Sequence, residues 1–323
     1  MTTKVKKSIS QVPPTLLLLG GSGQVGFELK RSLGPLARIV APDRQTLDLN
    51  DTDAVRKFVR ALRPKAVVNA AAYTAVDKAE SEPEASNLLN HLLPRCLAEE
   101  VDRQQSILIH YSTDYVFDGS SLTPYTEAHS VDPINEYGRS KAAGEQAVQV
   151  ATNRFVILRT SWVIGAYGHN FLRTILKLAT NRNELRVVGD QIGAPTTAHF
   201  IADITAHIWR SFWIQNHPLI SGQPTDQSQG DTQFPFGLYH LTSSGYTNWH
   251  ELACYIVDRA RQMGMKQSLE AEKILRISTE EYPTMAKRPA NSRLNTQKLQ
   301  EAFGLQMPAW ESEVDHLLAI ILA

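Results

Sequence analysis

Short apolar runs alternate along the chain with stretches whose apolar residues recur every three or four positions. The run at 15–19 (TLLLL) predicts a buried strand. Residues 24–33 follow with Val25, Leu29 and Leu33 on one helical face. A second strand is predicted over 37–43, ending in Asp43, and an amphipathic helix over 51–64, opened by an Asp or Thr cap and stopped by Pro64. A third strand over 65–73 ends in small residues. Residues 83–103 read as a helix that Pro94 kinks or interrupts. A fourth strand (106–117), a helix (135–151), a fifth strand (154–163) and a helix (170–180) continue the alternation. Apolar strands joined by amphipathic helices imply an α/β fold with a doubly wound parallel sheet.

The rhythm then changes. Residues 216–236 are rich in Gln, Ser, Gly, Pro and Asp and read as a long polar surface loop. A strand and turn are predicted over 237–245, a helix over 248–264 opened by Asn248 and closed by Gly264, and a last helix over 309–322. This divides the chain into a polar leader (1–14), a Rossmann core (15–165) and a smaller mixed C-terminal region (166–323), which sends elements back to the sheet and suits substrate binding.

Composition narrows the classes. Lys plus Arg equals Asp plus Glu at 33 each, so no global field draws nucleic acid or an anionic membrane. No window of about eighteen apolar residues exists to span a membrane. Lys4, Lys6 and Lys7 precede an apolar run, but the run dissolves into glycines, unlike a signal peptide. Cys96 and Cys254 have no metal-like spacing, and a reducing cytoplasm fits them.

Candidate chemistry begins at the first strand–helix turn, where Gly20, Gly23 and Gly26 lie, and where Gly21-x-Gly23-x-x-Gly26 meets the dinucleotide fingerprint. Glycines let the backbone approach a pyrophosphate, and the helix start offers free N–H groups. Asp43, 17 residues after Gly26, stands where a carboxylate accepts from the adenosine ribose, and Arg44 beside it suits a 2′-phosphate. The pair leaves NADH and NADPH both open. Asp48 and Leu49 fit a place beside the adenine, or a plain helix-entry loop. Asn69 to Thr74 (NAAAYT) ends the third strand in residues small enough for a cofactor to pass.

Tyr137 and Lys141 are four apart on a predicted helix and share a face. A nearby ammonium favours a phenolate and so tunes a tyrosine for acid–base work. Ser112 and Thr113 end the preceding strand, where a hydroxyl can hold a substrate oxygen.

The strings GGSGQVGFEL, NAAAYTAVDKAESEPE, HYSTDYVFDG, EYGRSKAAGE, RTSWVIG, DQIGAPT and RPANSRLN together resemble the dTDP-4-dehydrorhamnose reductases of the extended short-chain dehydrogenase/reductase superfamily, from about residue 15 to 322. The resemblance implies reduction of the C4 keto group of dTDP-4-dehydro-L-rhamnose by NADPH or NADH. Tyr137 would be the acid, Lys141 would tune it and hold the nicotinamide ribose, and Thr113 and Asp114 would contact the sugar. Gly23, Gln24 and Val25 would lie on the cofactor phosphates, Ala71, Ala72 and Thr74 along its path, and Trp162 on the sugar. Arg288 and Arg293 would meet the substrate diphosphate, a task that planar guanidinium groups suit. Asp77, Lys78 and Glu80 read mostly as solvated loop charges, His110 and His240 as core histidines.

The resemblance also implies a homodimer and a magnesium ion held by glutamates. Glu28 matches one such position, but Thr197, Ala198 and His199 stand where another acidic ligand is expected, so no metal ligands are assigned. Two alternatives stay open. A related nucleotide-sugar epimerase or dehydratase needs further acid–base groups beside Thr113, where Asp114 is a single carboxylate. A non-catalytic, nucleotide-binding regulatory subunit has no use for a tuned phenol.

Overall fold

A computed structural model describes residues 13–216 and 234–323. The leader up to residue 12 and most of the polar 216–236 segment lie outside the described residues. The main sheet has six parallel strands: β1 (Thr15–Leu19), β2 (Arg38–Val40), β3 (Ala66–Asn69), β4 (Ile107–Thr113), β5 (Phe155–Thr160) and β10 (Gly237–His240). Their order is β2-β1-β3-β4-β5-β10. The chain reverses its direction of travel between β1 and β3, which opens a crevice at the carboxyl ends of those strands.

β1 is apolar throughout because both of its faces are covered. Leu16 and Leu18 pack with Leu29 and Leu33 of α1 (Gln24–Leu33) and with Phe200, Ile204 and Trp209 of α8 (Ala198–Asn216). Leu17 and Leu19 point the other way, toward Val55 and Val59 of α2 (Thr52–Leu62), Leu97 of α5 (Leu93–Gln104) and Val148 of α6 (Glu136–Ala151). The result is a helix–sheet–helix sandwich. Helix α8 has no counterpart in the sequence-based expectation. Its polar residues are scattered, so no single apolar stripe marks it.

Asp51 caps α2 by accepting from the Asp53 and Ala54 amides. The helix ends at Leu62, with Arg63 in the left-handed region (φ 51°) immediately before Pro64. The expected break at Pro94 takes another form. Helix α4 (Pro83–Asn87) passes into a π turn at Leu88–Leu92 before α5 begins, and Leu93 N–H reaches the Leu88 carbonyl. Proline supplies no amide for Asn90, and the widened turn absorbs that loss without a sharp bend. β2 is shorter than expected, so Asp43 lies beyond the strand rather than at its end.

The C-terminal region adds three two-stranded ladders. β6 (Val163–Ile164) pairs with β9 (Thr196–Thr197), β7 (Leu185–Val188) with β12 (Ile274–Ile277), and β8 (Ile192–Gly193) with β11 (Thr247–Asn248). A separate apolar cluster joins α7 (Phe171–Asn181), α9 (Trp249–Gln262) and α11 (Trp310–Leu322). Among the described residues, no helix is long and apolar enough to cross a membrane.

Candidate active site

Two glycines of the turn after β1 have no room for side chains. A Cβ on Gly26 would lie 2.0 Å from the Gly20 carbonyl oxygen, and one on Gly20 (φ 75°) would lie 2.5 Å from the backbone of Ala70 and Ala71. Gly23 caps α1 without a side chain, and the first turn carries no acid, so the amides at the helix start remain open to an anion. The residues fit a dinucleotide pyrophosphate. Gln24 ties this turn to the C-terminal region: it donates to the His169 carbonyl and accepts from Asn170 Nδ2 at 2.8 Å. Val25 packs partly into the core.

The residues expected along the cofactor divide. Ala71 and Ala72 are half-buried beyond β3, and Thr74 is exposed. Asn90, on the π turn, accepts from Tyr73 N–H at 2.9 Å and donates to the Tyr73 carbonyl at 3.0 Å, fixing that strip. Asp43 accepts from the Thr46 amide and hydroxyl, which lowers its pKa, and Arg44 is exposed beside it. Asp48 accepts from Asn50, while Leu49 packs against the core.

Thr113 ends β4 and donates to Asp114 Oδ1 at 3.0 Å. The Thr113 hydroxyl also accepts from the Tyr115 amide at 3.2 Å, and the Tyr115 ring lies against Tyr137. Asn135 caps α6 through the Gly138 amide, setting Tyr137 in the first turn. Tyr137 is half-buried, and desolvation pushes its phenol up, with Thr113 acting in the opposite sense. Lys141 donates to the Tyr111 carbonyl at 2.6 Å, and burial brings its ammonium down to about 8. The sequence expectation was an ammonium that lowers the phenol. Desolvation, with Asp114 and Tyr115 acting in the same sense, raises the phenol instead, so it keeps its proton.

Asp114 is 3% exposed. Burial raises its carboxyl to about 6, against the hydrogen bond from Thr113, and its Oδ2 has no partner. The Tyr115 ring meets Tyr137 edge-on at 5.5 Å, and its hydroxyl accepts from Arg288 at 3.2 Å.

A cavity of about 340 Å³ opens beside these groups, lined by Tyr115, Phe171, Leu178, Val188, Trp249 and Arg288 among others. Arg288 also donates to Asp77 at 2.8 Å, so Asp77 is no free solvated charge, and Glu80 accepts from the Glu136 amide at the start of α6. Arg293 is directed elsewhere: it donates to the Leu122 carbonyl and to Asn291, over the Tyr246 ring. Trp162 holds a left-handed backbone (φ 48°) and stacks on Trp249 at 3.6 Å. It therefore braces a cavity wall rather than standing free. Gly193 makes room for it, since a Cβ there would come within 2.5 Å of the indole.

His110 and His240 are fully buried, bonded to Asn69 and to the Tyr125 carbonyl, and kept neutral by desolvation. The residues near the implied magnesium position do not gather around an ion. Glu28 pairs with Arg31, and Thr197 and His199 both bond Glu313. Among the described residues no three His, Cys, Asp or Glu side chains form a metal-binding group.

Asn90, Tyr115 and Trp249 escaped the sequence reading, while Asp77 was read mostly as a loop charge. Proline at 94 was the signal for the turn that carries Asn90; the others gave none.

Residues 14–322 match a family model described as RmlD substrate binding domain. A dTDP-4-dehydrorhamnose reductase of Salmonella typhimurium is 43% identical over 94% of this chain and 96% of its own. A solved dTDP-4-dehydrorhamnose reductase of Clostridium acetobutylicum superposes with a TM-score of 0.84 at 29% identity, covering 96% of this chain and 100% of that one. The one from Bacillus anthracis, solved in complex with NADP, gives 0.80 at 33% identity with the same coverage.

Proposed function

The chain belongs to the RmlD substrate-binding-domain family, and from that membership we propose that it reduces the C4 keto group of dTDP-4-dehydro-L-rhamnose to dTDP-L-rhamnose, with NADPH or NADH as donor. It is a nicotinamide-dependent oxidoreductase. The observation that carries the reading is Tyr137 lying edge-on to Tyr115 at 5.5 Å just past Thr113 at the end of β4, with Tyr115 and Arg288 both lining the cavity beside it.

The amides at the start of α1 would hold the pyrophosphate of the dinucleotide, and a reduced nicotinamide bound there would supply a hydride. Thr113 orients the sugar carbonyl, and Tyr137 delivers the proton that the C4 oxygen needs once its carbon has been reduced. The phenolate left behind is stabilised by the Lys141 ammonium, which the Tyr111 carbonyl holds in place. Arg288 exchanges part of its contact with Asp77 and Tyr115 for the substrate diphosphate. Phe171, Val188 and Trp249 give the nucleoside an apolar wall. Beside Asp114 stand hydroxyl groups and no second carboxylate among its bonded partners, which favours reduction over dehydration.

The test is cofactor oxidation with dTDP-4-dehydro-L-rhamnose, run with each reduced dinucleotide. Tyr137→Phe should lose turnover by ~10²–10⁴-fold with cofactor binding retained. Undiminished turnover would remove Tyr137 from the role of acid.

A further inference from the structure

Residues 278–288 are fastened at both ends to other parts of the fold. At the start, the Thr279 amide and hydroxyl donate to Asp190 in the loop between β7 and β8, and Gln191 Nε2 donates to Thr279 Oγ1 at 3.0 Å. Glu281 accepts from the Ser278 amide at 3.0 Å and from Arg186 at 2.6 Å. At the other end, the Ala286 amide and Arg288 Nη2 donate to Asp77 of the short helix α3 (Val76–Ala79), at 3.1 and 2.8 Å. A proline follows both Tyr282 and Arg288 and disfavours a helical backbone at each. The segment is a strap from the C-terminal region to the Rossmann core, and its Tyr282, Thr284 and Arg288 line the cavity.

Four aromatic side chains line that cavity, and three of them are engaged. Tyr115 meets the Tyr137 ring and accepts from Arg288. Trp249 stacks on Trp162 at 3.6 Å, and Phe171 tilts onto Trp249 at 4.6 Å. Tyr282 differs. It is 59% exposed, and among the described residues its side chain has no hydrogen bond, ion pair or ring contact. A single exposed tyrosine is ordinary on a protein surface. One held over an apolar cavity by a strap pinned on both sides is placed to meet a ligand.

We propose that Tyr282 is the platform on which the base of the nucleoside diphosphate sugar stacks, with Arg288, six residues along the same strap, on its diphosphate. This rests on the reductase reading above. Every base has a flat π face, and an aromatic ring binds it without reading its edge. The amide that could read an edge is already committed: Gln191 Oε1 accepts from Trp249 at 3.2 Å while Nε2 serves Thr279. Gln191 therefore shapes the wall, and Ile175, Leu178 and Val187 supply apolar surface around the base. The strap thus favours a nucleoside-linked sugar over a bare sugar phosphate.

The test is titration calorimetry of the full-length chain with dTDP, which carries base and diphosphate but no sugar. Tyr282→Ala and Tyr282→Leu should each weaken binding ~5–100-fold, whereas Tyr282→Phe should stay within about twofold of wild type. KM for dTDP-4-dehydro-L-rhamnose should rise in step with the Kd. Unchanged dTDP binding in the alanine variant overturns the inference; a raised KM beside it would put the ring on the sugar instead. Phenylalanine as weak as alanine would assign the effect to the hydroxyl and also overturns it, and wild type that binds no dTDP does so outright. Wild type that binds dTDP with the expected ranking of variants but oxidises no cofactor with the keto sugar sinks the reductase reading and leaves the platform standing.

Discussion

The Lys141 ammonium donates to the Tyr111 carbonyl at 2.6 Å, on the strand that two residues later ends in Thr113. That bond joins α6 to β4 inside the protein, where an ammonium is disfavoured. The folded-state pKa of about 8 lies below the ordinary 10.5. Between those values the unfolded chain holds the proton and the folded chain does not, so stability rises with pH across the window. Wild type should gain about 3 kcal/mol relative to Lys141→Met between pH 8 and 10.5, read from urea unfolding at several pH values. A flat difference would contradict the burial.

Asp114 has the opposite sign. Its folded pKa is raised from 3.8 to about 6, so its contribution is complete below 3.8 and is lost as pH rises through 6. Relative to Asp114→Asn, wild type should lose about 3 kcal/mol over that range. The inflection near pH 6 in the profile of kcat/KM should vanish in the variant; its persistence would assign it to another group.

The two arginines of the RPANSRLN string separate in the structure. Arg288→Ala should raise KM for the nucleotide sugar ~10–100-fold with kcat little changed, the cost of a charge-assisted contact to a diphosphate. Arg293→Ala should leave KM within about twofold, because its guanidinium is bonded to Leu122 and Asn291. Steady-state kinetics on both variants decides the matter; an equal rise in each would return Arg293 to the site.

Gly144 meets the π turn where a Cβ would lie 2.0 Å from the Asn90 carbonyl oxygen. Alanine is the better helix former by about 1 kcal/mol, yet Gly144→Ala should destabilise by about 1–3 kcal/mol, because a backbone oxygen cannot move aside. Thermal unfolding reads the sign directly, and a raised Tm would mean the contact is loose.

Much of this was legible beforehand. β1, β3, β4 and β5 print as apolar runs because strands covered on both faces need no polar alternation. Thr113, Tyr137 and Lys141 were legible as positions, because the spacing on a helix and the end of a strand both fix direction. What escaped depended on partners remote in sequence. Asp77 looked like a solvated charge because Arg288 is 211 residues away. Arg293 looked like a diphosphate ligand because residue type says nothing about where a long side chain turns. Pro94 announced a disturbance in its helix; the π turn that absorbs it lies where α6 passes close at Gly144.

Tyr137 is fastened mostly from within the first half of the chain, with Asn135 also donating to the Lys287 carbonyl. Lys141 is bonded to β4, Ser140 to Asn90, and Gly138 to Asn135. The cavity wall belongs mostly to segments after residue 170. Tyr115, which lines the cavity and meets the Tyr137 ring, is the joint between the two. The wall can be recast after residue 170 without touching Tyr137 directly, so long as the Arg288–Tyr115 contact is kept.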